Sequence, residues 1–180
     1  MGIFDLFKKK KEETHYDPTN IKVTDLENGY LLDYDLETWT VKKMSEYDWG
    51  NNHFSREFLI ESGGKTRYLN IDEDDTLVIS LFEKIKYRKL GSFITNYFKE
   101  HQKFPEQITY ESVIYYFDEE SPGYYRDVDA ENWEELIAFE YSNDEETKFL
   151  TIEQWDENEF EASIGIKLKS FEISNILPTS

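Results

Sequence analysis

Lys65-Thr66-Arg67-Tyr68-Leu69-Asn70-Ile71-Asp72 returns later in the chain as Glu146-Thr147-Lys148-Phe149-Leu150-Thr151-Ile152-Glu153, with Leu69 aligned on Leu150. In both copies an aromatic residue and a leucine are followed by a polar residue, an isoleucine and an acid, a mixture that suits a pleated, half-buried strand. Each copy follows an aromatic run and a polar turn, and each leads through acids (Asp72 to Asp75, then Glu153 to Glu157) into another apolar run. A duplicated hairpin is the simplest source of that pattern. An isolated small sheet cannot bury one face, so two such units must share a core. The expectation is a mainly β protein with one short helix: two tandem antiparallel β units from an internal duplication, packed as one compact body with pseudo-two-fold symmetry.

Outward from the repeat, Tyr30–Leu36, Thr38–Tyr47, Phe54–Glu61 and Thr76–Phe82 mix aromatic and aliphatic residues with charges, as half-exposed antiparallel strands do. Ser62-Gly63-Gly64-Lys65 reads as a hairpin turn, because paired glycines supply positive φ angles. In the second half, strands are expected at Ser112–Phe117, Tyr124–Val128, Glu135–Tyr141, Lys148–Glu153, Phe160–Leu168 and Phe171–Ile176, with Ser121-Pro122-Gly123 and Ser142-Asn143-Asp144 as turns. Between the halves lies a basic stretch, where Lys84, Lys86, Arg88, Lys89, Lys99 and Lys103 face a single Glu100, and docking within the molecule is its simplest use. Ser92 offers an N-cap, Phe93, Ile94, Tyr97 and Phe98 share a helical face, and Pro105 follows, so one short helix is expected here. The chain divides into a tail (1–15), a first β unit (16–88), a helical connector (89–105) and a second β unit (106–180). Its 13 Tyr, 13 Phe and 4 Trp are the packing material from which a filled core between the units, rather than an open cleft, is expected.

Composition removes several function classes. The absence of cysteine excludes disulfides and thiolate chemistry and points to a reducing cytoplasm. A net charge of −19 repels phosphate backbones, so no nucleic-acid partner is expected. The longest apolar runs are a few residues, far short of a membrane span. The start, Met1 to Glu13, differs from the rest: Ile3, Phe4, Leu6 and Phe7 would share one side of a short helix, and Lys8, Lys9, Lys10 and Lys11 follow. Such a segment either contacts the anionic inner face of the cell membrane peripherally or frays as a tail. Leu6 stands where a myristoylation signal needs Ser or Thr.

A family resemblance is carried by Gly29-Tyr30 entering a strand, Trp49 ahead of Glu57-Phe58-Leu59-Ile60, Leu150-Thr151-Ile152-Glu153-Gln154-Trp155, Gly165 in the penultimate strand and the terminal Ile176-Leu177-Pro178. On these residues the chain resembles an uncharacterised bacterial domain-of-unknown-function family, DUF4178. The resemblance implies no established activity and no site residues. It implies an accessory protein of an envelope or stress system more than an enzyme.

No catalytic motif stands out. The acid runs beginning at Asp33 and Asp127 lack the Gly and Glu of an EF-hand loop, having Thr38 and Met44 in one and Asn132 and Ala138 in the other. His15, His53 and His101 are scattered, no nucleophile elbow or phosphate-cradling glycine cluster is present, and neither a resident metal nor a cofactor is expected. Glu153 and Trp155 are the preferred ligand-binding pair, because alternation along a strand puts both on one face, where an aromatic ring can stack and a carboxylate can bond. The leading expectation is a non-enzymatic, cytoplasmic module that binds another protein, tethered at the membrane through Ile3, Phe4, Phe7 and Lys8 to Lys11. The alternative is a carbohydrate-binding or hydrolytic protein using an acidic and aromatic cleft.

Overall fold

The computed structural model describes residues 20–179, so the candidate membrane-contact residues Ile3, Phe4, Phe7 and Lys8 to Lys11 lie outside the described residues. The described chain is mainly β. A first meander comprises β1 (Leu31–Tyr34), β2 (Glu37–Asp48), β3 (Phe54–Ser62), β4 (Lys65–Asp72) and β5 (Val78–Ile85). After a 3-10 turn at Tyr87–Leu90 and the helix α1 (Ser92–His101), a second meander comprises β6 (Gln107–Tyr110), β7 (Val113–Asp127), β8 (Glu134–Ser142), β9 (Lys148–Asp156) and β10 (Glu159–Leu168). A final strand, β11 (Ser174–Leu177), returns to pair with β1. The two stretches quoted at the outset occupy β4 and β9, the fourth strand of each meander.

The meanders do not stack as two sheets. They join edge to edge, β5 pairing with β10 from Ile85↔Ala162 to Ile79↔Leu168, and β2 pairing with β7 from Ser45↔Asp127 to Asp48↔Tyr124. The second junction closes β2-β3-β4-β5-β10-β9-β8-β7 into a ring of eight antiparallel strands. Closure leaves as edges only the short terminal strands β6 and β11 and the stretch of β7 between its pairings with β6 and β2.

The ring is apolar on its outer face. On one side Phe58, Ile60, Leu69, Ile71, Ile79 and Leu81 are buried beneath Val23, Leu26, Tyr30, Leu32, Trp39 and Ile173, so the segments flanking the first and last strands cap this face. On the other, Phe139, Tyr141, Leu150, Ile152 and Ala162 pack under Leu90, Ile94 and Phe98 of the connector, with Phe104 and Ile108 beside them. Each fully buried Leu, Ile or Phe contributes about 1.5–3 kcal/mol, so these two clusters hold the ring. The filled core expected between the units therefore lies outside the ring, in two separate parts. The space between the units is an open cavity.

Several local features depart from the sequence reading: the strand expected at Phe171–Ile176 is a 3-10 turn at Ser170–Glu172 and becomes β only from Ser174. Ser121-Pro122-Gly123 is no turn but the middle of the fifteen-residue β7. Along this stretch β7 pairs with β8 alone, because its pairing with β6 stops at Tyr116 and its pairing with β2 starts at Tyr124, so the missing N–H of Pro122 breaks no ladder there. Gly123 is required at its position, since a Cβ would stand 2.6 Å from the Trp49 ring. In α1, Gly91 occupies the N-cap and Ser92 is the first helical residue. Ile94 and Phe98 are buried, but Phe93 is 64% exposed, because residues at i and i+1 lie about 100° apart on a helix and only one can face the sheet.

Candidate functional site

Tyr47 of β2 donates its hydroxyl to Glu153 of β9 at 3.4 Å, and these two strands are not neighbours in the ring. Residues on their face therefore point into the enclosed space. The same face carries Ser45 and Tyr47 on β2, Glu57 and Leu59 on β3, Tyr68 and Asn70 on β4, and Phe82 and Lys84 on β5. From the second meander it carries Tyr125, Glu140, Thr151, Glu153, Trp155 and Glu161. Alternation along each strand sends most of the aliphatic residues outward and these inward.

The cavity has two lobes. The larger, about 610 Å³, is lined by Glu57, Tyr68, Lys84, Tyr125, Trp155 and Glu161 among others. The second, about 490 Å³, runs to the unpaired side of β7 at Asp118–Pro122. Tyr47, Glu57 and Glu153 line both and mark where they meet. Both volumes fall in the range of small-molecule sites, and an eight-stranded ring is just wide enough to hold one small ligand.

Burial shapes the chemistry at this junction. Glu57 is half-buried on the cavity wall and, among the described residues, has no ion-pair partner. Burial and then the neighbouring charge of Glu153 push its pKa up to about 8, against the opposing pull of Lys84 and of the Tyr47 hydroxyl. Glu153 is also held above the ordinary carboxyl range by burial, with Lys84 pulling down and Glu161 pushing up. The hydroxyl of Tyr47 and the indole of Trp155 both lower it, so donors favour its ionised form. Trp155 Nε1 is buried with no hydrogen bond of good geometry. Around the pair the aromatics interlock: Tyr47 stacks on Trp49 at 5.2 Å between centroids and meets Tyr125 edge-on, and Tyr125 meets Trp155 at 5.3 Å.

At the rim of the larger lobe, Lys84 Nζ lies 5.1 Å over the Tyr68 ring and pairs with Glu161. Lys43 pairs with Asp127 at 2.6 Å, and Tyr125 and Ser45 each donate to the same carboxylate oxygen, at 2.8 and 3.0 Å. In the second lobe Glu140 is pushed up to about 7 by burial and by Glu119, with Asp118 and Asp72 adding to it. Nearby, Asp72 holds His53 at 2.9 Å; burial disfavours the imidazolium, yet Asp72 outweighs it and the pKa is raised. Among the described residues no group of three or more His, Asp or Glu side chains is arranged to hold a metal ion.

Glu153 and Trp155, the pair singled out by alternation, both line the larger lobe. Sequence reasoning missed Glu57, Tyr47, Lys84, Tyr68 and Glu140. Their strands alternate as an exposed sheet face would, and only the closure of β2 on β7 turns that face inward. One signal was present: Ser55-x-Glu57-x-Leu59 pairs a carboxyl with small and apolar neighbours, an odd composition for a solvated face.

Comparison with known proteins bears out the family resemblance. A protein of Aquifex aeolicus (strain VF5), named only as an uncharacterized protein, is 29% identical over 175 residues, covering 96% of this chain and 94% of that one. No solved structure matches the chain. The model of the domain of unknown function DUF4178 matches residues 27–170, most of the chain and every strand of the ring, and the chain belongs to that family.

Proposed function

We propose that this protein is a non-enzymatic binding module that takes one small polar ligand into the ring, with Glu57, Glu153 and Trp155 as its contacts. The observation that carries this reading is a pair of carboxyls at the meeting point of two cavity lobes, walled by four aromatic rings. Burying acids without matched cations lowers stability. An apolar filling at the same positions would have served the fold better, and such costs are characteristic of sites that bind.

A thermal-shift and tryptophan-fluorescence panel of amines, sugars and amino acids tests it. Stabilisation by at least one compound is expected, lost when Leu59, on the wall of the larger lobe with Glu57 and Trp155, is replaced by Trp to fill the space. A panel without any response, or a response that survives Leu59→Trp, refutes the proposal. Turnover of a bound glycan would favour the hydrolytic alternative, in which the protonated Glu57 serves as acid.

The sequence-based proposals of a protein partner and a membrane tether concern the outer surface and residues 1–11. Deleting residues 1–11 should abolish pelleting with anionic liposomes, and equal pelleting of both forms, or of neither, removes the tether.

A further inference from the structure

Two lysines at the rim show what this wall does with an ammonium group. Lys84 Nζ sits over the Tyr68 ring and against Glu161, and Lys43 Nζ lies 6.0 Å from the Tyr125 ring centre and against Asp127. Each is a cation held between an aromatic face and a carboxylate, the combination by which proteins recognise organic ammonium ions. Deeper in, the same two ingredients recur without an ion-paired cation, Lys84 being committed to Glu161 and reaching them only through its field. Glu57 and Glu153 stand beside Tyr47 and Trp155, and Trp155 Nε1 is buried, turned towards Glu153 without a hydrogen bond of good geometry.

We propose that the ligand of the ring is an organic ammonium cation, seated between Glu57 and Glu153 and enclosed by Tyr47, Tyr68, Tyr125 and Trp155. This rests on the reading of the cavity as a binding site. The acid excess of the whole chain draws cations towards it, and the lining acids outnumber Lys43 and Lys84. Beside Glu153, Glu57 keeps its proton with a neutral ligand, and an anion would hold that proton more firmly. A cation lets both carboxyls ionise.

Proton linkage follows from the groups around Glu57: Glu153 from β9, Lys84 from β5, Tyr47 from β2 and Glu161 from β10. In the empty ring Glu57 holds its proton up to about pH 8. A bound cation favours the carboxylate, so binding releases that proton and affinity climbs with pH until Glu57 is ionised without help. For one proton the climb is up to about tenfold per pH unit.

The test is isothermal titration with choline and with its uncharged isostere 3,3-dimethylbutan-1-ol, at about pH 6 and about pH 9. An ionic strength near 0.15 M (about 150 mM) screens attraction to the outer acids. Choline should bind, at least about tenfold more weakly at the lower pH, and the alcohol should not. Glu57→Gln should weaken choline at high pH and flatten the pH dependence. Trp155→Phe, which keeps the charge, should weaken choline at both pH values. Equal binding of the alcohol overturns the cation and leaves the cavity as a site. No binding of choline, tetramethylammonium or butylammonium also overturns the cation, and the broader panel then decides the cavity on its own. Choline binding indifferent to both variants overturns the placement.

Discussion

The Phe82 ring packs over Gly165 across the β5–β10 junction, so closely that a Cβ on the glycine would stand 2.5 Å from two ring carbons. This contact is on the inner face, where Phe82 also leans towards Phe149 at 6.3 Å between centroids. Gly165→Ala should push the ring off its place and destabilise the protein by about 1–3 kcal/mol, measured by urea unfolding. An unchanged midpoint would show that the glycine is not needed for the junction.

Glu57 makes stability depend on pH with a definite sign. Its folded pKa, about 8, lies above its ordinary value of 4.5, so the unfolded chain gives up this proton first. The contribution is fully present below about pH 4.5 and drains away as pH rises to about 8. Wild-type protein should therefore lose urea resistance between those limits more steeply than Glu57→Gln. Parallel pH profiles for the two would contradict the burial of this carboxyl.

The two phenylalanines of α1 should separate cleanly. Phe98 packs 4.5 Å from Phe104 and edge-on to Phe139 and Phe160. Phe98→Ala should cost about 3–5 kcal/mol, whereas Phe93→Ser, on an exposed ring, should stay within about 0.5 kcal/mol of wild type. Thermal unfolding of both variants checks this, and a comparable loss from Phe93→Ser would mean that the helix docks through another face.

The β2–β7 junction is the shorter closure of the ring, four register pairs against seven for β5–β10. Tyr125 bridges it, its hydroxyl 2.9 Å from buried Ser45 Oγ and 2.8 Å from Asp127. Tyr125→Phe should cost about 1 kcal/mol and speed amide hydrogen exchange at residues 45–48 and 124–127 before it does so at β5–β10. Exchange that rises uniformly around the ring would argue against a local closure.

Much of the strand order was legible because it is written locally. Gly63-Gly64 turns β3 into β4, Lys65–Asp72 and Lys148–Glu153 alternate as strands do, and Ile94 and Phe98 mark the buried stripe of α1. What escaped depends on partners distant in sequence. Pro122 looked like a turn because its tolerance rests on where β6 and β2 end. Glu57 looked solvated because its enclosure rests on Ser45 meeting Asp127, 82 residues away. Glu153 and Trp155 were found together because their shared face needs only the pleat of one strand. What that face looks onto was settled elsewhere.

Turning the greasy side of each strand outward, beneath the helix and the flanking segments, divides labour between neighbouring positions. Phe58 anchors the architecture while Glu57, one step along the backbone, is free to answer to chemistry. Substitutions at inward positions can retune what relatives accept while the scaffold persists, so two descendants of this ring can share every strand and differ in their guest.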